Sequence, residues 1–373
     1  MSKVPRIFLI LIFVFSCKTE IKNGDNLTVE KPKNFNEVII EDIVVDSLLN
    51  VRAIEIKANT EEAFFATADG KVGRIFNTST ESEGQLNSSL KFEYLNLDFE
   101  KYHVSQENFR SIALSGNSLL VAIIGSPAHI YKIEGDDSLE LVYIEEHEKA
   151  FYDSIEFWND QEGLAIGDST EGCISIVITR DGGNNWTKVS CDSLPAAKNG
   201  VGAFAASDTN IAIVGENTWI ATGGKSSQIY YSADKGKSWE VFETPIIQGE
   251  ETTGIYSIDF YDEKNGFAVG GDYTKPELNS ANKIITKDGG KSWKVVANSI
   301  GPGYRSCVKY VPDRNANDLV TLGFNGIDYS SDRGESWKHL SDEGYYTLRF
   351  INDSTAYAAG KGRISKLIFS REN

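Results

Sequence analysis

One eight-residue pattern returns four times between residues 179 and 337. The copies are Thr179-Arg-Asp181-Gly-Gly183-Asn-Asn-Trp186, Ser232-Ala-Asp234-Lys-Gly236-Lys-Ser-Trp239, Thr286-Lys-Asp288-Gly-Gly290-Lys-Ser-Trp293 and Ser330-Ser-Asp332-Arg-Gly334-Glu-Ser-Trp337. The shared template is Ser/Thr-x-Asp-x-Gly-x-x-Trp, and its aspartates stand 53, 54 and 44 residues apart. A motif at nearly constant pitch requires like units, each burying its apolar faces against the next.

The residue types say what each copy is. Strand-like runs precede it (Ile174 to Thr179, Gln228 to Ser232, Lys283 to Thr286) and follow it (Trp293 to Ala297), so it is a hairpin turn. The aspartate can accept turn amides. The glycine supplies a backbone conformation that a Cβ would oppose. The tryptophan opens the return strand and can cover apolar surface between neighbouring sheets.

Other strands also repeat. Gly163-Leu-Ala-Ile-Gly167, Ile211-Ala-Ile-Val-Gly215, Gly266-Phe-Ala-Val-Gly270 and Leu319-Val-Thr-Leu-Gly323 each precede a turn. Leu120 to Gly125, Ala356 to Gly360 and Glu62 to Thr67 belong to units without one. A further strand lies ahead in most units: Arg110-Ser-Ile-Ala, Ser154-Ile-Glu-Phe, Ser257-Ile-Asp-Phe, Thr347-Leu-Arg-Phe. Seven units result, starting near residues 50, 108, 151, 200, 254, 304 and 345. The expected fold class is all-β: a seven-bladed β-propeller with four-stranded antiparallel blades, filling residues 36–370. Thirty-three Gly, 16 Tyr and 19 Phe against a single Met fit sheets and turns. The last unit runs out after three strands at Phe369, and Glu37 to Asp46 is expected to supply the missing outer strand and close the ring.

The repeated turn resembles the Asp-box, or bacterial neuraminidase repeat, of sialidase-like propellers. Asn265-Gly266-Phe-Ala-Val-Gly270 followed by Thr286 to Trp293, together with the Arg-Ser-Ile strands, resembles the photosystem II stability/assembly-factor family over nearly the whole body. That resemblance implies structural turns and a non-catalytic scaffold outside the cytoplasm that assists assembly by binding a protein or glycan. A lipid-anchored amino terminus also fits that family.

The chain's own amino terminus reads as an address. Lys3 and Arg6 precede an apolar run from Ile7 to Phe15, too short to span a bilayer. Val14-Phe15-Ser16-Cys17 resembles a bacterial lipoprotein cleavage box. The expectation is a signal over residues 1–16, lipidation of Cys17, a polar tether over residues 17–35 and a place in the bacterial cell envelope. Loss of the leader would move the net charge from −17 to −19. This charge excludes nucleic acid as a partner and polybasic attachment to anionic lipid. Cys173 and Cys191 lie symmetrically about Gly182, so a cross-hairpin disulfide and two free thiols both stay open. Cys307 sits in an apolar strand pattern.

Propeller geometry puts the turns on the face remote from the channel mouth. Aligned starts of the inner strands give Arg52, Arg110, Asp153, Tyr256, Arg305 and Tyr346, with the fourth unit, around Gly202, ambiguous. Three arginines converging near the axis would suit a carboxylate or phosphate. Pairing with local acids such as Asp153 or Glu55 is the competing structural role. Loops Asp168 to Gly172, Glu216 to Ser227 and Gly271 to Ala281 share that face, with Trp219 and Tyr273 as exposed candidates. The alternative activity is a sialidase-type glycosidase, whose arginine clamp, tyrosine and acid these residue types resemble. Its Arg-Ile-Pro signature is missing, since Arg74-Ile-Phe lacks the proline. Gly200-Val-Gly202-Ala-Phe-Ala205 matches a dinucleotide fingerprint but lacks the helix such a site needs. No cofactor is expected. His103, His129, His147 and His339 lack paired ligand spacing, so no metal is expected either. The expected protein is a monomer.

Overall fold

The computed structural model describes residues 33–82, 85–97, 108–135 and 138–371. The leader, Cys17 and nearly all of the tether lie outside these residues. From Asn34 onward the chain is one compact unit.

The described chain is all-β, and its strands pair antiparallel in six hydrogen-bonded sheets. Four of these have four strands each. Phe109–Ser115, Ser118–Ile123, Ala128–Glu134 and Ser138–Glu145 make one, and Tyr152–Phe157, Gly163–Ser169, Ile174–Thr179 and Trp186–Lys188 the next. Ile211–Val214, Asn217–Ala221, Gln228–Ser232 and Glu240–Glu243 follow, and later Cys307–Tyr310, Leu319–Gly323, Gly326–Ser330 and Lys338–Ser341. The fifth sheet adds two short pieces, Val201–Gly202 and Gly223–Gly224, to Thr253–Phe260, Gly266–Asp272, Lys283–Thr286 and Lys294–Val295.

The sixth sheet has seven strands because one long strand, Phe35–Ile56, serves both ends of the chain. Its first part pairs with the last strand, Val38 facing Phe369 and Ile40 facing Leu367. Its second part pairs with Ala63–Thr67, Ile54 facing Phe65. The amino-terminal segment is therefore the outer neighbour of Lys361–Arg371, the place left open by a last unit that runs out after three strands.

Ile211–Val214 departs from expectation. It is the first strand of its sheet, and Asn217–Ala221 is the second. Trp219 accordingly lies in the second strand, 0% exposed, with its ring stacked 3.6 Å from Phe260 and its Nε1 donating to Gly289 O at 2.8 Å. It belongs to the core. Cys173 and Cys191 are joined as a disulfide, with Cα atoms 5.6 Å apart, and Cys307 is a buried free thiol.

Apolar clusters form between sheets. Leu120 and Ala122 pack with Ile155, Ala165 and Trp186 of the next unit. Leu164 and Ile176 pack with Ile211, Ile220 and Trp239. Ala212 and Trp219 pack with Ile258, Phe260 and Trp293, and Phe267 and Val269 with Val308, Leu319 and Trp337. The clusters continue past the carboxyl terminus: Val320 and Leu322 meet Leu348 and Ala356, and Tyr357 and Ala359 meet Val51, Ile54 and Phe65. Every sheet is thus apolar on both faces.

The four repeated turns share one hydrogen-bond set. In the second, Ser232 Oγ donates to Asp234 Oδ1 (2.8 Å) and accepts from Gly236 N (2.8 Å). Ser238 N and Ser238 Oγ donate to the two carboxylate oxygens (2.9 and 2.6 Å), and Trp239 Nε1 donates to Gly236 O (3.1 Å). Asp181, Asp288 and Asp332 are held in the same way. The turn glycines have φ between 77° and 83°. Each also lies against the preceding unit. A Cβ would meet Leu120 at 2.7 Å from Gly183, Ile178 at 2.8 Å from Gly236, Trp219 at 2.9 Å from Gly290 and Phe267 at 2.4 Å from Gly334. Turn and sheet contact are thus one device.

Two outcomes are expected. Gly334→Ala adds a left-handed cost of about 1–2 kcal/mol to an overpacking cost of about 1–3 kcal/mol, so denaturant unfolding should show a loss of about 2–5 kcal/mol. The second concerns pH. In Asp234 burial opposes ionisation, but the Ser238 side chain and amide outweigh it and hold the carboxyl below its usual range. Its contribution is then complete above the unfolded value of about 3.9 and is lost as pH falls through the lower folded value. Asp234→Asn should destabilise the protein at pH 7, and the gap to wild type should narrow below pH of about 4. A gap that widens in acid would contradict this account.

Candidate functional site

The first strands of successive units touch one another in order, and Thr347–Phe350 touches Phe35–Ile56. A buried hydroxyl lies at or near the start of six of them: Ser111, Ser154, Thr209, Ser257, Ser306 and Thr347. These hydroxyls tie neighbours together. Ser111 Oγ accepts from Ile155 N (2.7 Å), Ser257 Oγ from Val308 N (2.9 Å), and Ser306 Oγ donates to Tyr346 O (2.8 Å). The residue before each hydroxyl is therefore an equivalent position: Arg110, Asp153, Asp208, Tyr256, Arg305 and Tyr346, with Arg52 before Ala53. Asp208 resolves the ambiguous fourth unit.

That unit breaks the pattern. Its segment from Ala203 to Thr209 reaches the first strands of the other units. Asp208 accepts from Ser111 Oγ (2.6 Å), Ile112 N (3.0 Å) and Ser154 Oγ (2.8 Å), while its carbonyl accepts from Arg349 Nη2 (2.8 Å). Ser207 Oγ donates to Ser306 O (2.6 Å), and Thr347 Oγ1 donates to Ser207 O (2.8 Å). Burial pushes the Asp208 carboxyl up to about 6 against the pull of Arg349 and its three donors.

Above this segment lies a cavity of about 460 Å³. Five of the six expected residues line it: Arg52, Arg110, Asp153, Tyr256 and Tyr346. Asp168, Phe204, Tyr304, Tyr273 and Phe324 complete its working surface. Phe204 stacks on Tyr256 (4.0 Å between centroids, 5° between planes), and Tyr304 meets Tyr256 edge-on at 4.8 Å. Tyr273 and Phe324, 48% and 41% exposed, form the rim. A groove of about 680 Å³ shares Phe151, Asp168, Ala203 and Phe204 with the cavity and runs outward past Glu148, Gly200, Gly224 and Glu251.

Arg305 is not in the cavity. It is buried and donates to Asp328 through Nε (2.8 Å) and Nη2 (2.6 Å) and to Tyr304 O through Nη1 (2.8 Å). Its neighbour Asp328 also meets His339 at 3.0 Å. The expected convergence of three arginines is thus reduced to two, and a three-arginine clamp lacks its third member. Glu55 likewise pairs with Arg349 (3.4 Å) and not with a cavity arginine.

The two remaining arginines are held by backbone. Arg52 Nη1 donates to Ala206 O (3.2 Å) with its guanidinium 3.9 Å over the Tyr346 ring. Arg110 donates to Asn108 Oδ1 (2.9 Å) and Ala205 O (3.1 Å). Burial, and then the charge of Arg52, lower Arg110 to about 10, so it stays cationic at neutral pH. Asp153 is 0% exposed. Burial and the nearby Asp168 push its carboxyl well above the usual range, against Ala205 and Arg110. Burial also raises Asp168, against the Ala203 amide that donates to it at 2.9 Å.

The aligned strand starts named five residues that line the cavity: Arg52, Arg110, Asp153, Tyr256 and Tyr346. Phe204, Ala205 and Ala206 went unseen because the fourth unit was misaligned. The pair Asp208-Thr209, ahead of Ile211-Ala-Ile, was the available signal.

No protein-family model and no curated protein matches the chain. Solved structures do. The structure of YCF48 bound to D1 peptide is 13% identical and superposes at a TM-score of 0.59, covering 91% of this chain and 98% of that one. YCF48 from Cyanidioschyzon merolae is 12% identical (TM-score 0.58, 90% and 98% covered), and the RRP9 WD40 repeats are 11% identical (TM-score 0.58, 91% and 100%). These likenesses carry the fold: an all-β chain of four-stranded antiparallel sheets, built as a β-propeller resembling YCF48.

Proposed function

We propose that the protein is a closed seven-bladed propeller serving as a protein-binding assembly scaffold, with a polypeptide segment seated over the central cavity. The carrying observation is the cavity itself: seven aromatic side chains beside two backbone-anchored arginines, continuous with an adjoining groove. The cyclic order of first-strand contacts and the apolar clusters between consecutive units, last to first included, support seven blades and ring closure. The likeness to a YCF48 structure titled as bound to a D1 peptide supports a polypeptide ligand; the identity of that ligand does not transfer. The shared hydrogen-bond set supports Asp-box turns with a structural role. They hydrogen-bond to the loops that follow the first strands, Gly182 N to Gln161 O and Gly289 N to Lys264 O, whereas the cavity lies where those strands begin.

In this reading the scaffold is exported and held in the cell envelope by lipid on Cys17. The basic, apolar and Cys17 pattern supports it, as does the Cys173–Cys191 disulfide, which suits an oxidising compartment.

The test uses the full-length protein in its native cells, with a benzophenone amino acid replacing exposed Phe324 at the rim or Lys237 in a repeated turn. A saturable polypeptide adduct is expected from position 324 only, and Arg110→Ala should weaken capture about tenfold, ~1.4 kcal/mol. An adduct only from position 237, or only to glycan, would overturn the proposal.

A further inference from the structure

The cavity holds arginines and carboxyls that do not meet. Its arginines are turned toward backbone carbonyls, Arg52 to Ala206 and Arg110 to Ala205. Its carboxyls stand on the third unit, Asp153 at the start of the first strand and Asp168 in the second. Asp168 spends one oxygen on the Ala203 amide (2.9 Å). Asp153 is fully buried, and neither of its oxygens has a hydrogen-bond partner; Arg52 Nε is buried without one as well. Among the described residues no ion pair joins either arginine to either carboxyl, although Arg305 and Arg349 nearby both found acids.

Unpartnered buried polar groups are costly, and native structures keep few of them. Here a donor is missing at the carboxyl side and an acceptor at the arginine side of one cavity. An anion alone would answer Arg52 and leave Asp153 orphaned. A cation alone would do the reverse. An α-carboxylate with a hydrogen-bearing α-nitrogen answers both, and aromatic rings stand ready for a side chain beside them.

We propose that the central cavity binds a bipolar amino-acid group, with its carboxylate on Arg52 and Arg110, its α-nitrogen donating to the Asp153–Asp168 pair, and its apolar side chain on Phe204, Tyr256 and Tyr304. Two sources carry this chemistry: a free α-amino acid, and the carboxyl-terminal residue of a polypeptide, whose last amide N–H is the donor. In the second form the inference rests on the polypeptide-scaffold reading and names the part of the chain that enters first. Glu148, Asp168 and Glu251 along the adjoining groove then face the residues that precede it.

Calorimetry on the full-length protein tests this with four probes: L-phenylalanine, N-acetyl-L-phenylalanine, 3-phenylpropionate and L-phenylalanine amide. One of the first two should bind at least about tenfold tighter than 3-phenylpropionate, which lacks the nitrogen, and than the amide, which lacks the acid. Preference for phenylalanine identifies a free amino acid, and preference for the acetylated form a chain terminus. Asp168→Asn should shrink the preference over 3-phenylpropionate while leaving the affinity for 3-phenylpropionate within about twofold, an effect that a purely structural role would not give. Asp153→Asn should do the same, and its near-ultraviolet circular dichroism reports whether it is folded; if it is not, Asp168→Asn decides. Equal binding of 3-phenylpropionate would overturn the proposal in favour of a plain anion site, and so would no binding of any probe at millimolar concentration. If the adduct from position 324 persists in that case, the bipolar inference alone fails. If the adduct is absent too, the scaffold reading falls with it.

Discussion

A four-stranded sheet that is apolar on both faces cannot be stable alone, and among the described residues nothing covers it except another sheet of the same kind. That requirement governs the rest of the molecule. Helices are absent from the described residues apart from a single turn at Cys191–Ser193, so no other layer is available. The repeated turns are where the requirement is met most visibly. One carboxylate gathers the amides and hydroxyl of its own hairpin, and the glycine beside it lets the backbone lie against a side chain of the preceding sheet. The tryptophan then closes over the same seam. Local hydrogen bonding and inter-sheet packing are thereby fixed by one short stretch of sequence.

Repetition alone would leave the strand starts of successive units alike. The fourth unit breaks that likeness. Its Ala203 to Thr209 segment donates to or accepts from strands of most other units, and its carbonyls orient Arg52 and Arg110. The cavity is thus floored by backbone and walled by side chains from rigid strands, an arrangement that holds polar groups in place without a mobile loop. Arg305 shows the opposite fate. It occupies an equivalent strand position, yet an acid two strands away in its own sheet captured it.

The strand order was legible because periodic apolar residues and turn chemistry act over a few residues. Glu37 to Asp46 could be assigned to the last sheet because three strands there lacked a fourth. The fourth unit could not be aligned, because its hydrophobic run Ile211 to Val214 looks like the second strand of its neighbours while serving as a first. Trp219 was misjudged for the same reason. Once Asn217–Ala221 is the second strand, its alternate residues must face the next sheet, and an exposed tryptophan becomes a buried one.

Composition, pitch and the four turns determined by themselves that the chain is a row of like antiparallel sheets, since each of those signals is local and repeats. Which strand-start side chains share a cavity, and that Asp153 is sealed without a partner, were decided only when distant units met. Those outcomes depend on contacts between residues about 50 to 300 positions apart, such as Arg110 with Ala205 and Arg349 with Glu55, and the sequence carries no short-range sign of them.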